Sequence, residues 1–154
     1  MTNIGKKFEE VVKKSLLEVT DISVDRIHDQ TNGFKGSANV CDFFIYRYPY
    51  AYYMECKTVQ EARLPFANIS DNQWRGLYEK SKINGVHAGV ICWYRNHNTT
   101  KYYDIRDLYE MKELGAKSIR FDSDVGITVS GKKKRVFYDY DMWLLLGDIK
   151  EAKR

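Results

Sequence analysis

Cysteine is scarce in this chain of 154 residues and poorly arranged for cross-linking: Cys41, Cys56 and Cys92 each sit in a strand-like run, with no CxxC spacing. An odd count of such thiols argues against a disulfide framework and for a reducing cytoplasm. The three histidines, His28, His87 and His97, lack metal-ligand spacing, and no zinc pattern, Walker loop, GxGxxG or nucleophile elbow occurs. Long apolar runs are missing as well. The longest, residues 88–94, falls far short of the ~20 residues of a membrane helix, and the opening MTNIGKKFEE is charged with no apolar signal region. Internal repeats, low-complexity tracts and linkers are also absent. Together these absences argue against a disulfide-bonded secreted protein, a membrane-spanning one and the zinc-finger and nucleotide-loop classes, and favour a cytoplasmic protein with no membrane partner.

What is present describes one globular domain over residues 1–154: 44% apolar and 30% charged residues, enough for a real core. A net charge of +4 and a pI near 8.8 permit a polyanionic partner without requiring one. Apolar residues at helical spacing predict a helix over residues 4–19, with Glu9 and Glu10 in its early part, where negative charge suits the helix dipole. A short strand at residues 22–28 leads into the polar loop DQTNGFKGSAN. Ser70 followed by Gln73 is a capping box opening a helix that ends near Gly85. Residues 86–94, VHAGVICWY, read as a fully buried central strand. A strand at 101–104, a helix at 105–113, two short strands around Ser130–Gly131 and a last helix near 141–149 complete the chain.

The organising stretch is residues 41–58, CDFFIYRYPYAYYMECKT. Two β-prone runs, 41–46 and 51–56, flank a link of Arg47, Tyr48, Pro49 and Tyr50, as a β-hairpin would. Pairing Asp42 with Glu55 puts the turn between Tyr48 and Pro49. Strand alternation then places Asp42, Phe44 and Tyr46 on one face with Tyr53, Glu55 and Lys57. Two carboxylates and an ammonium converge there. Asp42 and Glu55 could hold Mg²⁺, and the ion would polarise a phosphoryl oxygen and acidify water, with Lys57 placed to hold the water or stabilise developing charge. A plain strand-end salt bridge among the same residues is the alternative. Gln73 has a full structural explanation at helix position N3, or its amide reaches the carboxylates; the residues leave both open. Arg26 and Lys35, near the polar loop, are candidate phosphate contacts. So is the basic run Gly131–Arg135, with Lys132, Lys133, Lys134 and Arg135, although a solvated turn is its simplest reading.

The order of parts resembles the PD-(D/E)xK nuclease fold, and within it the RecU-type Holliday junction resolvases. Gly5 and Phe8-Glu9 match the family's opening motif, and Asp42, Glu55 and Lys57 its catalytic core. Pro65-Phe66, Asn68 and Asp71 with Gln73 are similar to the segment leading to its Gln-bearing helix. Tyr103–Ile105, Lys117-Ser118-Ile119 and Tyr138–Tyr140 fit its C-terminal half. Departures are Val40 where the family carries a hydroxyl, Asn72 where it carries His, and a stalk reduced to about residues 29–39, as in a short or phage-like variant. The resemblance implies a restriction-endonuclease-like α/β fold, a mixed central sheet flanked by helices. It also implies an Mg²⁺- or Mn²⁺-dependent endonuclease acting as a homodimer on four-way DNA junctions, possible recombination proteins beside it, and a catalytic set of Asp42, Glu55, Lys57, Glu9 and Gln73. Asp42, Glu55 and Glu9 would hold the metal, with Cys56 lending only its carbonyl. A restriction-like or repair nuclease and a non-catalytic DNA-binding accessory protein are the competing readings.

Overall fold

The computed structural model describes residues 3–27 and 39–152. Lys35, His28 and nearly all of the shortened stalk lie outside the described residues.

A six-stranded sheet runs through the molecule. It is built from β1 (Ser23–Arg26), β2 (Phe43–Arg47), β3 (Tyr50–Val59), β5 (Val86–Tyr94), β6 (Thr99–Asp104) and β8 (Ile127–Thr128), adjacent in that order. Only β3 and β5 pair in parallel, so the sheet is mixed. Parallel neighbours need a crossover. Here it is made by β4 (Arg63–Pro65), a 3-10 turn at Phe66–Asn68 and α2 (Asp71–Ser81). β5 is buried from His87 to Tyr94, as its unbroken apolar run demands when both faces are covered.

One face is covered by α1 (Ile4–Leu17) and α4 (Met142–Glu151). Phe8, Val12 and Leu16 pack there with Phe43, Ile45, Met54, Trp93, Leu145 and Ile149. Full burial of each such side chain is worth roughly 1.5–3 kcal/mol. α2 and α3 (Ile105–Glu113) cover the other face, where Trp74, Leu77 and Leu108 meet Val90, Cys92 and Tyr103. Two small ribbons finish the fold. β4 pairs with β7 (Ser118–Arg120) on the α2 side, and β9 (Gly131–Lys133) pairs with β10 (Tyr138–Tyr140) against α1.

Several boundaries differ from the sequence reading. α1 stops at Leu17 rather than at 19, because the Val19 N–H turns back to the Leu16 carbonyl and Asp21 takes a positive φ of 56°. Val19 stays buried after the helix has ended, which is why the apolar period ran past it. α2 stops at Ser81 rather than near Gly85. A tightened turn follows, with Lys82 N–H on Glu79 O and Ile83 N–H on Lys80 O, before Gly85 reverses the chain at φ 81°. The first strand is confined to residues 23–26. The β4–β7 ribbon and the strand at 138–140 are additional to the elements expected.

Candidate active site

The hairpin register places the acidic residues. Phe44 opposes Tyr53 and Phe43 opposes Met54, with Tyr48 and Pro49 alone in the turn. One step further, Asp42 lies beyond the end of β2, opposite Glu55. β2 has stopped there, but the Cys56 N–H still needs an acceptor, and the Asp42 carboxylate supplies it: Oδ2 accepts over 2.9 Å. Asp42's own carbonyl accepts from the Ile27 N–H over 2.8 Å. The aspartate is thus fixed by the main-chain N–H of Cys56 in β3 and of Ile27 just past β1.

Glu55 forms the floor, its side chain only 6% exposed. Oε2 receives two donors from different elements: Lys57 Nζ at 3.2 Å, two residues along the same face of β3, and Gln73 Nε2 at 2.9 Å from the first turn of α2. Gln73 also closes the capping box: its Oε1 accepts the Ser70 N–H at 3.1 Å while its own N–H donates to Ser70 Oγ at 3.1 Å. Both roles that the sequence left open for this residue are therefore present at once. One turn on, Gly76 makes room for the chain entering β2. A β-carbon there would lie 2.0 Å from Val40 Cγ1, so only glycine lets α2 come this close to the Asp42 segment. Asn72, in the first turn of α2, donates to the Asn39 carbonyl at 3.0 Å.

Glu9 reaches the group from the other side of the sheet, through Arg26. Arg26 Nε and Nη2 lie 3.0 and 2.8 Å from Glu9 Oε1, and Nη2 is 3.5 Å from Asp42 Oδ1. Arg26 Nη1 donates to the Ile27 carbonyl, which also accepts from Asn39 Nδ2 at 3.1 Å. Sequence reasoning offered Arg26 only as a phosphate contact. Its ion pairs with Glu9 and Asp42 went unseen, since partners 17 and 16 residues away leave no local pattern.

Electrostatics set the character of the pocket. Burial, and then repulsion from Asp42, push the Glu55 carboxyl well above its ordinary range, against the pull of Lys57. Burial followed by the Asp42 charge also raises Glu9, with Arg26 opposing. The Cys41 thiol is pushed up to about 12 by burial and the two neighbouring carboxylates, and burial raises Cys56 as well, so both sulfurs stay protonated packing groups. Among the described residues, no three His, Cys, Asp or Glu are grouped so as to hold a metal between them. The pair Asp42 and Glu55 nonetheless suits a hard divalent cation, which Mg²⁺ sites commonly bind through one or two carboxylates plus waters.

The remaining candidates lie apart. Lys132 and Lys133 are on β9, and Lys134 and Arg135 are in the turn that follows; all four are exposed. Lys133 Nζ donates to Asn98 Oδ1 at 2.9 Å. His87 is buried and stacks on Tyr52, and His97 stacks on Phe121. No described helix is long and apolar enough to cross a membrane.

Neither a protein-family model nor any curated protein sequence matches the chain. Among solved structures, the chain is similar to Hjc of Archaeoglobus fulgidus, a Holliday junction resolvase from an archaeal hyperthermophile. The TM-score is 0.55 at 18% identity, over 80% of this chain and 95% of that one. The likeness shows the fold, a mixed six-stranded sheet flanked by helices, as expected from the sequence.

Proposed function

We propose that this chain is a divalent-metal-dependent endodeoxyribonuclease that resolves four-way DNA junctions, in the manner of RecU- or Hjc-type resolvases. The observation that carries the reading is the convergence on Glu55 Oε2 of Lys57 and Gln73, beside a carboxylate anchored by the Cys56 N–H. A strand-end salt bridge needs neither the glutamine nor the second acid. The fold likeness to Hjc supports the same reading.

Asp42 and Glu55, with the Cys56 main-chain carbonyl, would hold Mg²⁺ or Mn²⁺, which supplies polarisation of the phosphoryl oxygen and a more acidic water. Two carboxyls this close repel when both are ionised, a cost that a divalent cation removes. Gln73, anchored at its oxygen, holds Glu55 Oε2 and leaves Oε1 for the ion. Lys57 carries the ammonium that orients the attacking water and faces the charge growing on the phosphate. The exposed β9–β10 cations would follow the DNA backbone.

Resolution needs one cut in each of two opposing strands, and a chain with one such site supplies one. An isologous dimer places two identical sites on two equivalent strands. Sedimentation at micromolar concentration should give a dimer, and a cruciform plasmid should yield linear product from paired nicks. A monomer on DNA that leaves only nicked circles refutes resolution and favours a repair nickase.

A further inference from the structure

Arg26 lies between Asp42 and Glu9, the residue expected from the sequence as a third metal ligand. The register seats it opposite Phe43, the residue that follows Asp42. All three guanidinium nitrogens are used: Nε and Nη2 on Glu9 Oε1, Nη2 also toward Asp42 Oδ1, and Nη1 on the Ile27 carbonyl. The side chain is 26% exposed and Glu9 21%, against 14% for Asp42 and 6% for Glu55, so the Arg26–Glu9 pair lies nearer the surface than the two acids. Glu9 therefore faces a cation already, and it does not group with Asp42 and Glu55 into a three-acid cluster.

We infer that Arg26 is a positioning residue that holds Asp42 and weakens the ion's grip on it, and that Glu9 acts on the metal site chiefly through Arg26. The proposal rests on the metal-dependent reading above. The guanidinium holds Asp42 Oδ1 in place, and its charge opposes a divalent ion on the same carboxylate. Glu9 partly neutralises that charge and fixes the plane of the guanidinium. Its influence on the ion should then shrink, when Arg26 is absent, to the weak pull of a charge that does not touch the ion. A glutamate that ligated the ion directly would matter just as much without the arginine.

The test is a cycle of Mn²⁺ affinities, measured by calorimetry or electron paramagnetic resonance without DNA, for wild type, E9Q, R26Q and E9Q/R26Q. R26Q should bind Mn²⁺ about ten-fold more tightly than wild type, and R26K, which keeps the charge, should stay within about three-fold of it. E9Q should bind more weakly than wild type, yet E9Q/R26Q should lie within about three-fold of R26Q. Circular dichroism verifies folding, and R26M replaces R26Q if the glutamine variant does not fold. Affinity unchanged or weakened in R26Q, or a ten-fold loss from R26Q to E9Q/R26Q, overturns the proposal. If D42N still abolishes binding in that case, the metal site stands and only the Arg26 role falls. Absence of Asp42-dependent Mn²⁺ binding in the wild type overturns both.

Discussion

Gln73 donates its amide N–H to Glu55 Oε2 over 2.9 Å while its oxygen accepts the Ser70 N–H over 3.1 Å. One side chain thus closes the capping box of α2 and holds the floor of the carboxylate pocket. Gln73→Glu separates the two roles, because glutamate at N3 still closes the box but cannot donate to Glu55. We expect Q73E to keep the helix cap and to lose at least ten-fold in cleavage rate, in line with a charge-assisted hydrogen bond worth about 1.5–3 kcal/mol. Gln73→Ala should lose the same rate and also about 1 kcal/mol of stability from the cap. Normal cleavage by Q73E would reduce Gln73 to a cap. Strand cleavage and thermal melting of both variants decide the matter.

Glu55 makes the stability of the metal-free protein depend on pH. Its folded-state carboxyl is pushed up to about 8, first by burial and then by Asp42, whereas an unfolded glutamate ionises near 4.5. Below 4.5 both states hold the proton and there is no penalty. As pH rises toward 8 the unfolded state ionises first, so stability falls across that window, by an amount on the order of a few kcal/mol. In EDTA, melting temperature should decline from about pH 5 to about pH 8 more steeply in wild type than in Glu55→Gln. Adding Mn²⁺ at the upper end of that range should raise it in wild type alone. Parallel melting curves for the two proteins in EDTA would contradict the assignment.

The hairpin was legible because its chemistry is symmetric about the turn. Counting outward from Tyr48 and Pro49 brings Asp42 opposite Glu55, and the observed register agrees. α2 was legible from Ser70 and Gln73, whose capping box is a local signal. The β4–β7 ribbon was not. Three-residue strands have no measurable period, and Leu64 finds Ile119 only after the intervening chain has folded. Pro65 and Ser118, which belong to separate stretches of the family resemblance, oppose one another in that ribbon. The Arg26–Glu9 pair stayed hidden for a similar reason, since a charge shows its partner only once the sheet and α1 are packed. Gly76 would read as a weak point in a helix, and its purpose is visible only with Val40 against it.

The exposed cations of β9 and its turn should act through phosphates. Replacing Lys132, Lys133 and Lys134 by Ala should weaken DNA binding to a similar degree for all sequences. It should also flatten the dependence of log affinity on log salt, by about 0.9 for each phosphate no longer neutralised. Fold stability should hardly change, because all three side chains are exposed and the bond from Lys133 to Asn98 lies at the surface. An unchanged salt slope would make this ribbon a solvated turn.

Cleavage of a synthetic four-way junction, with linear duplex as the control and Mg²⁺ or EDTA as the two conditions, tests the nuclease site most directly. Wild type should cut the junction in Mg²⁺, spare the duplex, and do nothing in EDTA. Asp42→Asn, Glu55→Gln and Lys57→Ala should each abolish cutting while binding the junction within a few-fold of wild type, because affinity comes mainly from backbone contacts. Substantial cutting by all three variants, or activity undiminished in EDTA, would contradict the claim that this pocket is a metal-dependent nuclease site.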